Sequence, residues 1–183
     1  MLQRDLHEQL RAESAASRDR IAALVRPLNA AQLNEHPEPK GWSIGEVLEH
    51  LLIADELYDD STAKLLASSR PDAGAAAREW KPTFLGKWIA ESLMAPKKLK
   101  GPPAFKVSHG PRNGVVEAFR ARELKFVQLM DDASRYDWNA LKLRSPALPR
   151  IAPKLNLGDA FRVHVVHVTR HAKQVERLAG KVG

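Results

Sequence analysis

Three of the chain's seven histidines, His164, His167 and His171, lie within eight residues near the end of the sequence. The segment around them predicts a helix, on which side chains three or four positions apart share one face. Imidazole is the commonest protein ligand for transition metals, and two histidines four apart on a helix are a standard chelating pair. The spacing therefore indicates a metal site, although a histidine-rich face also occurs on solvated helices.

The three rings cannot all bind one ion directly. His164 and His171 are separated by about 10.5 Å along a helix axis, whereas a metal–imidazole bond is about 2.0–2.1 Å. Either His164 with His167 or His167 with His171 can chelate, and we favour the second pair because a spacing of four is more usual. Another helix must supply a further ligand. His50 is the candidate, although a lone histidine beside an apolar helix face is more often a hydrogen-bonded core residue.

Helical periodicity marks the elements that must position these rings, and no segment shows a convincing strand pattern. We predict long helices over residues 2–25, 43–66, 113–130 and 157–178, and a shorter one at 85–94. Ser43 and Glu46 have the spacing of a capping box, although Glu46 could instead orient His50. Trp80 and Trp88 are expected to cover the core. We predict one all-α domain, residues 1–183, a four-helix bundle with long crossover connections.

The connections are rich in proline, at residues 70–111 and 144–156. Because a structureless loop as long as the first is unusual in a compact domain, we expect it to wrap the bundle or cover a cleft. Its basic cluster at residues 97–100 (KKLK) is interpreted as a solvated loop, the alternative being contact with an acidic cofactor.

Composition excludes several classes of protein. The 183 residues are 44% hydrophobic and 28% charged, as in globular proteins rather than disordered chains. With no cysteine, the chain has no disulfide, iron–sulfur cluster, thiolate zinc site or cysteine nucleophile. We see neither a secretory signal nor an apolar stretch of about 20 residues, and so expect a cytoplasmic protein with no membrane partner.

The net charge of +7 is unevenly distributed, with −5 in residues 1–69, +6 in residues 70–112 and +7 in residues 141–183. Such asymmetry could attract nucleic acid, but it also lets an acidic first half pack against a basic second half. We favour packing, because no basic run is interleaved with aromatic residues in the way that single-strand nucleic-acid binders require.

Two segments resemble the signatures of a known family. Residues 41–51, GWSIGEVLEHL, resemble the first signature of the DinB/YfiT-like superfamily, in which a tryptophan and a capping residue precede the first histidine ligand. Residues 157–161, LGDAF, followed by residues 167–174, HVTRHAKQ, resemble the second signature, in which two histidines four apart are followed by a glutamine. The resemblance covers most of the chain, and only these two signatures are specific.

The resemblance implies that His50, His167 and His171 bind one divalent ion, which in family members is nickel, zinc, iron or manganese. Members are four-helix bundles with long crossovers and are often dimers, so we expect a homodimer. His164 lies outside the family pattern. It is a hydrogen-bond partner of the ligands, a substrate contact or a surface residue.

The resemblance also implies a metal-dependent enzyme acting on a small-molecule substrate, either an S-transferase that uses a low-molecular-weight thiol or a hydrolase. Core packing explains Trp42. Asp159 is explained as a favourable negative charge at the positive end of the dipole of the last helix. The sequence identifies no catalytic residue besides the ligands. The alternatives are a non-catalytic protein that binds a metal or small ligand, and a DNA-associated protein.

Overall fold

The computed structural model describes residues 1–96 and 101–182, and its helices match the segments with helical periodicity. The α-helices are α1 (Gln3–Val25), α2 (Ala30–Asn34), α3 (Ile44–Ala67), α4 (Phe84–Met94), α5 (Val115–Ala133) and α6 (Leu157–Ala179). Two strands, β1 (Lys142–Leu143) and β2 (Leu155–Asn156), pair antiparallel. Single 3-10 turns lie at Ala75–Ala77 and Pro103–Phe105. The predicted all-α class is confirmed.

Four of these helices form the bundle. Helix α1 packs against α5 and α6, and α3 packs against the same two helices, so each long helix has two neighbours. Two long connections complete the architecture. Residues 68–114 run from α3 to α5 and contain α4, and residues 134–156 lead from α5 into α6. This is the four-helix bundle with crossover connections that the sequence predicts.

Helices α3 and α6 begin at capping boxes. The Ser43 side chain accepts from the Glu46 N–H at 3.1 Å, and the Glu46 carboxylate accepts from the Ser43 N–H at 2.9 Å. Asn156 and Asp159 make the same exchange at 2.7 and 3.2 Å. Both boxes satisfy N–H groups that a helix start otherwise leaves unbonded. They therefore help to fix where the histidines lie along the two axes.

Three features differ from the sequence prediction. Helix α2 begins with a capping box between Asn29 and Gln32, and its five residues are too few to show a helical period. The strands have two residues each, too short for a recognisable alternation. Trp80 is buried as predicted, but the expectation that Trp88 covers the core is wrong, since Trp88 is 55% exposed.

The core fills the bundle as two clusters of buried side chains. One contains Phe126, Trp138 and Phe161, and the other contains Val168 and Ala172 of α6, on the turn that also carries the histidines. Apolar faces of all four long helices contribute to these clusters. The histidines therefore project from a helix whose position is set by the burial of its neighbouring residues.

Helix α4 lies outside the bundle and is held against α6 at both ends. Thr83 caps α4 and donates its hydroxyl to the Asp159 carboxylate at 2.6 Å. At the other end, the Arg170 guanidinium donates to the carbonyls of Leu93 and Ala95 at 2.6 and 3.0 Å. Asp159 thus joins two helices, in addition to placing a favourable charge at the start of α6.

Replacing Gly86 by alanine should destabilise this contact. A Cβ at Gly86 would lie 2.1 Å from Cγ of Asp159, a side chain held by hydrogen bonds to both helices. The clash should approach the upper end of the roughly 1–3 kcal/mol cost of overpacking, against about 1 kcal/mol gained in helix propensity. We expect the free energy of unfolding to fall by about 1–2 kcal/mol in a denaturant titration. Gly180→Ala, whose Cβ would meet nothing closer than 3.8 Å, is the control. A Gly86→Ala protein as stable as the wild type would contradict the expectation.

The uneven charge distribution is reflected in ion pairs between distant parts of the chain. Glu38, in the acidic segment, pairs with Arg177 and, at 2.8 Å, with Lys181. These groups are substantially exposed, so each pair contributes little stability. The basic cluster at residues 97–100 lies outside the described residues. Within the described ranges, no helix combines the length and apolar character needed to traverse a bilayer.

Candidate metal centre

Three imidazole rings from two helices converge inside the bundle. Helix α3 supplies His50, and α6 supplies His167 and His171. The Nε2 atom of His167 lies 3.1 Å from Nε2 of His50 and 3.1 Å from Nε2 of His171. The three ring centroids are 4.6, 4.9 and 5.0 Å apart. One nitrogen of each ring therefore faces a common point.

Acceptors behind two of the rings fix their tautomers. Nδ1 of His50 donates to the Phe105 carbonyl at 2.8 Å, and Nδ1 of His171 donates to Oε1 of Gln174 at 2.9 Å. Since each Nδ1 atom carries the proton, the Nε2 atoms of both rings present lone pairs to His167. One N–H of His167 cannot satisfy two such lone pairs at once.

A divalent metal ion fits this donor set better than a proton does. Three Nε2 lone pairs aimed at one point match the three protein ligands of catalytic zinc sites, which leave further positions for water or substrate. Acceptors on the far nitrogens are the usual supports of histidine ligands. The ligand atoms of His50, His167 and His171 all lie within 4.8 Å of one another. The arrangement is compatible with metal binding.

The environment keeps the three rings neutral. Burial lowers the pKa of His50 and outweighs the hydrogen bond to Phe105. Burial, together with the neighbouring rings of His171 and His50, lowers the pKa of His167 well below its usual value. Burial and the neighbouring His50 ring lower the pKa of His171 to about 3. Neutral imidazole is the protonation state that binds a metal ion, so the lone pairs are available at neutral pH.

The carbonyl that orients His50 comes from the long connection between α3 and α5. Phe105 ends a 3-10 turn in this connection, and Arg112 ties the connection back to α3. The Arg112 guanidinium donates to Glu49 at 2.8 Å and to Glu56 at 2.7 Å. Hydrogen bonds to these two carboxylates raise the pKa of Arg112. Glu49 is next to His50 in α3. The ion pairs of Arg112 therefore hold the connection, with its Phe105 carbonyl, close to the His50 ring.

The Trp42 side chain packs against two of the three histidine rings. Its ring centroid lies 4.8 Å from that of His50 and 6.3 Å from that of His171, and it is inclined by only 15° to the His171 ring. His50 and His171 are buried, whereas His167 is half-buried. Trp42 packs against the core, as the sequence predicts, and it also packs directly against two of the candidate ligands.

Comparison with protein families agrees with the fold and the histidine geometry. The model of the DinB superfamily matches residues 14–175, a range that contains all three converging histidines. The chain belongs to the DinB superfamily. No curated protein and no solved structure matches it. The family assignment made from the two signatures is confirmed.

Two further residues with candidate roles, His164 and Glu46, lie apart from the candidate metal centre of this DinB-superfamily bundle. The ring of His164 lies between Asp55 and Glu123, at 3.0 and 3.3 Å, and does not join the ring of His171. It is therefore not a surface residue. Glu46 serves as the capping residue of α3 and does not contact His50 through a hydrogen bond. The two carboxylates beside His164 were missed, because nothing in their sequence spacing connects α3 with α5.

Replacing Gln174 by alanine should weaken metal binding without removing a ligand. The family pattern has a glutamine here, and in the structure its amide oxygen accepts from Nδ1 of His171. Losing such a supporting contact typically costs about 10–100-fold in metal affinity. A competition titration with a chromophoric chelator should show a loss in this range. Gln128→Ala, which removes an exposed glutamine bonded to Asp132 on α5, should leave the affinity unchanged. Equal affinities for the two variants would contradict the role of Gln174.

Proposed function

We propose that this protein is a metal-dependent enzyme whose divalent ion is held by His50, His167 and His171. The observation that carries the proposal is the convergence of three Nε2 atoms, with His167 placed 3.1 Å from each of the others. Imidazole donors suit zinc, nickel and iron, and suit manganese less well. Membership in the DinB superfamily supports the same assignment.

The protein contributes binding and orientation to the proposed chemistry. An ion bound by three neutral imidazoles keeps its full positive charge and acts as a Lewis acid that acidifies a water or thiol. Phe105 and Gln174 hold two ligand rings in place. Among the described residues, no carboxylate hydrogen-bonds to any of the three rings. The reaction therefore should not depend on a protein base beside the ligands.

The lack of a carboxylate hydrogen-bonded to the three rings, among the described residues, favours a thiol as the nucleophile. A thiol has an ordinary pKa of about 8.5, whereas bulk water has one of about 15.7, so a thiol ionises with far less assistance. In the proposed transfer, the thiol sulfur forms a bond to an electrophilic carbon of a small substrate as the bond to the leaving group breaks. The thiol proton leaves with that group. The proposed class is a thiol-dependent S-transferase, with hydrolysis as the second candidate.

A non-catalytic metal-binding protein is the alternative from another functional class. Burial of His50 and His171 favours it, because two sides of the centre are closed to solvent. A measurement of catalytic turnover distinguishes an enzyme from a non-catalytic metal-binding protein. Enzymatic function requires a substrate to reach the centre beside the half-buried His167.

The test compares metal-free protein with protein reloaded with zinc or nickel. Each preparation is given a panel of alkyl electrophiles with several low-molecular-weight thiols, and thiol consumption is measured. We expect turnover only with both metal and thiol, and none from a His50→Ala variant. His109→Ala, which removes an exposed histidine far along the connecting segment, is the matched control.

Three other outcomes of this experiment would change or overturn the proposed function. Metal-dependent cleavage of aryl esters without thiol would replace the transferase assignment with the hydrolase. Stoichiometric metal binding without turnover of any substrate would favour the non-catalytic protein. Turnover that persists in chelator and in His50→Ala would overturn metal dependence altogether.

A further inference from the structure

A second group of ionisable side chains lies inside the bundle and shares α3 and α6 with the three-histidine centre. Asp55 comes from α3, Glu123 from α5 and His164 from α6. Nδ1 of His164 lies 3.0 Å from Oδ1 of Asp55, and Nε2 lies 3.3 Å from Oε1 of Glu123. Asp55 is 3% exposed and Glu123 is fully buried. Such groups are almost never buried together without a compensating partner.

Contacts within the protein leave this group unsatisfied. Among the described residues, Oδ2 of Asp55, Oε1 of Glu123 and Nε2 of His164 have no hydrogen-bond partner. The 3.3 Å approach of His164 to Glu123 therefore lacks hydrogen-bond geometry. Ser14 reaches the other oxygen of Glu123 at 3.4 Å. Buried polar atoms are nearly always hydrogen-bonded, and the 3.3 Å ion pair between His164 and Glu123 does not meet that requirement, so the group is short of hydrogen-bonding partners.

The charge of the group indicates that the partner it lacks is a cation. Burial lowers the pKa of His164, but the charges of Asp55 and Glu123 outweigh it and raise that pKa to about 10. Burial raises the pKa of Asp55 to about 6, although the charge of His164 opposes this. One imidazolium and two carboxylates give the group a formal charge of −1. The adjacent pair of Asp59 and Arg122, at 3.0 Å, is neutral overall and cannot compensate it.

We propose that Asp55, Glu123 and His164 form a second site for a divalent metal ion, distinct from the three-histidine centre. An ion in place of the imidazolium proton would bring the formal charge from −1 to zero and would give the unsatisfied atoms a partner. The ligand atoms of the three residues lie within 4.8 Å of one another. The Phe126 ring stacks on His164 with the centroids 3.5 Å apart, which holds the imidazole in place.

The donor set differs from that of the first centre in a way that predicts metal preference. Two carboxylates and one imidazole form a harder set than three imidazoles, because carboxylate oxygens suit manganese and similar ions. Manganese(II) is therefore the appropriate probe for the second site, and zinc for the first. Asp55 is five residues after His50, about 7.5 Å along α3, and His164 is three residues before His167, about 4.5 Å along α6. The two ions would occupy neighbouring levels of the same bundle.

The test counts manganese bound by the full chain. Metal-free protein is first given one equivalent of zinc and then titrated with Mn²⁺, with free Mn²⁺ measured from its paramagnetic resonance signal. We expect the wild type to bind one Mn²⁺ per chain and Glu123→Gln to bind none. Glu117→Gln, an exposed glutamate on the same helix, should bind one like the wild type. No manganese uptake by the zinc-loaded wild type would overturn the proposal, a result that needs no variant.

Further variants separate this proposal from the first centre. A His50→Ala, His167→Ala protein should lose zinc but still bind one Mn²⁺, which Glu123→Gln should remove. If Glu123→Gln fails to fold by circular dichroism, Asp55→Asn replaces it as the second ligand variant. Unchanged Mn²⁺ uptake in a folded ligand variant would show that the group is only a buried ion pair. A wild-type protein that binds one Mn²⁺ but no zinc would contradict the three-histidine centre and leave the second site standing.

Discussion

Replacing His167 by alanine should abolish metal binding at the three-histidine centre. This ring is the one that both partners approach, with Nε2–Nε2 distances of 3.1 Å on each side. Removing it eliminates a ligand and separates the other two, so affinity should fall by more than the roughly 10–100-fold expected for a supporting residue. Elemental analysis after loading with one equivalent of zinc and dialysis should show stoichiometric zinc in the wild type and almost none in the variant.

The same variant should lose the stabilisation that metal confers. At an ion concentration of about 100 times Kd, the wild type should gain about 2.7 kcal/mol, or about 5–11 °C in Tm for a chain of this size. His167→Ala should show no such increment, whereas His36→Ala, which removes an exposed histidine bonded to the Gly41 carbonyl, should retain it. A metal-dependent rise in the Tm of His167→Ala equal to that of the wild type would contradict the ligand assignment.

Replacing Trp138 by alanine should produce the largest loss of stability among the core positions discussed. The side chain is fully buried, packs edge-on against Phe161 at 5.0 Å and donates its indole N–H to the Ala133 carbonyl at 2.9 Å. Truncating a buried tryptophan typically costs about 3–5 kcal/mol, which corresponds to about 6–20 °C in Tm here. Thermal unfolding followed by circular dichroism measures the change.

The matched control for this prediction is Trp88→Ala. The same chemical change on α4 removes a side chain that is 55% exposed, so the loss should be much smaller. Trp138 belongs to the core cluster that excludes Val168 and Ala172, the buried neighbours of the histidines. The folded fraction of Trp138→Ala should therefore keep its metal affinity. Similar losses of stability from the two tryptophan variants would contradict the burial argument.

The sequence determined the local part of the candidate site. His167 and His171 are four residues apart, and the helical repeat alone places them on one face. The capping box at Ser43 was also local, since it needs only four consecutive residues. The four long helices followed from hydrophobic periodicity for the same reason. These features depend on backbone geometry over one or two turns, which does not change with the rest of the fold.

The sequence connected His50 to the other two ligands only through its resemblance to a family. Helical periodicity shows the face on which His50 lies, but not that this face meets α6. Packing of the whole bundle makes that choice, because each helix has two neighbours and several rotations would bury an apolar stripe. The match to residues 14–175 supports the resemblance.

Only the tertiary structure brought together the groups that depend on contacts between distant segments. The Phe105 carbonyl is a backbone atom on a proline-rich connection, and no residue type signals its hydrogen bond to His50. Asp55 and Glu123 read as ordinary polar positions on their own helices, yet both are buried beside His164. The charges of Asp55 and Glu123 affect the pKa of His164 strongly because α3, α5 and α6 meet around these side chains and exclude water. Sequence spacing describes one helix at a time, whereas the second group exists only where the faces of three helices coincide.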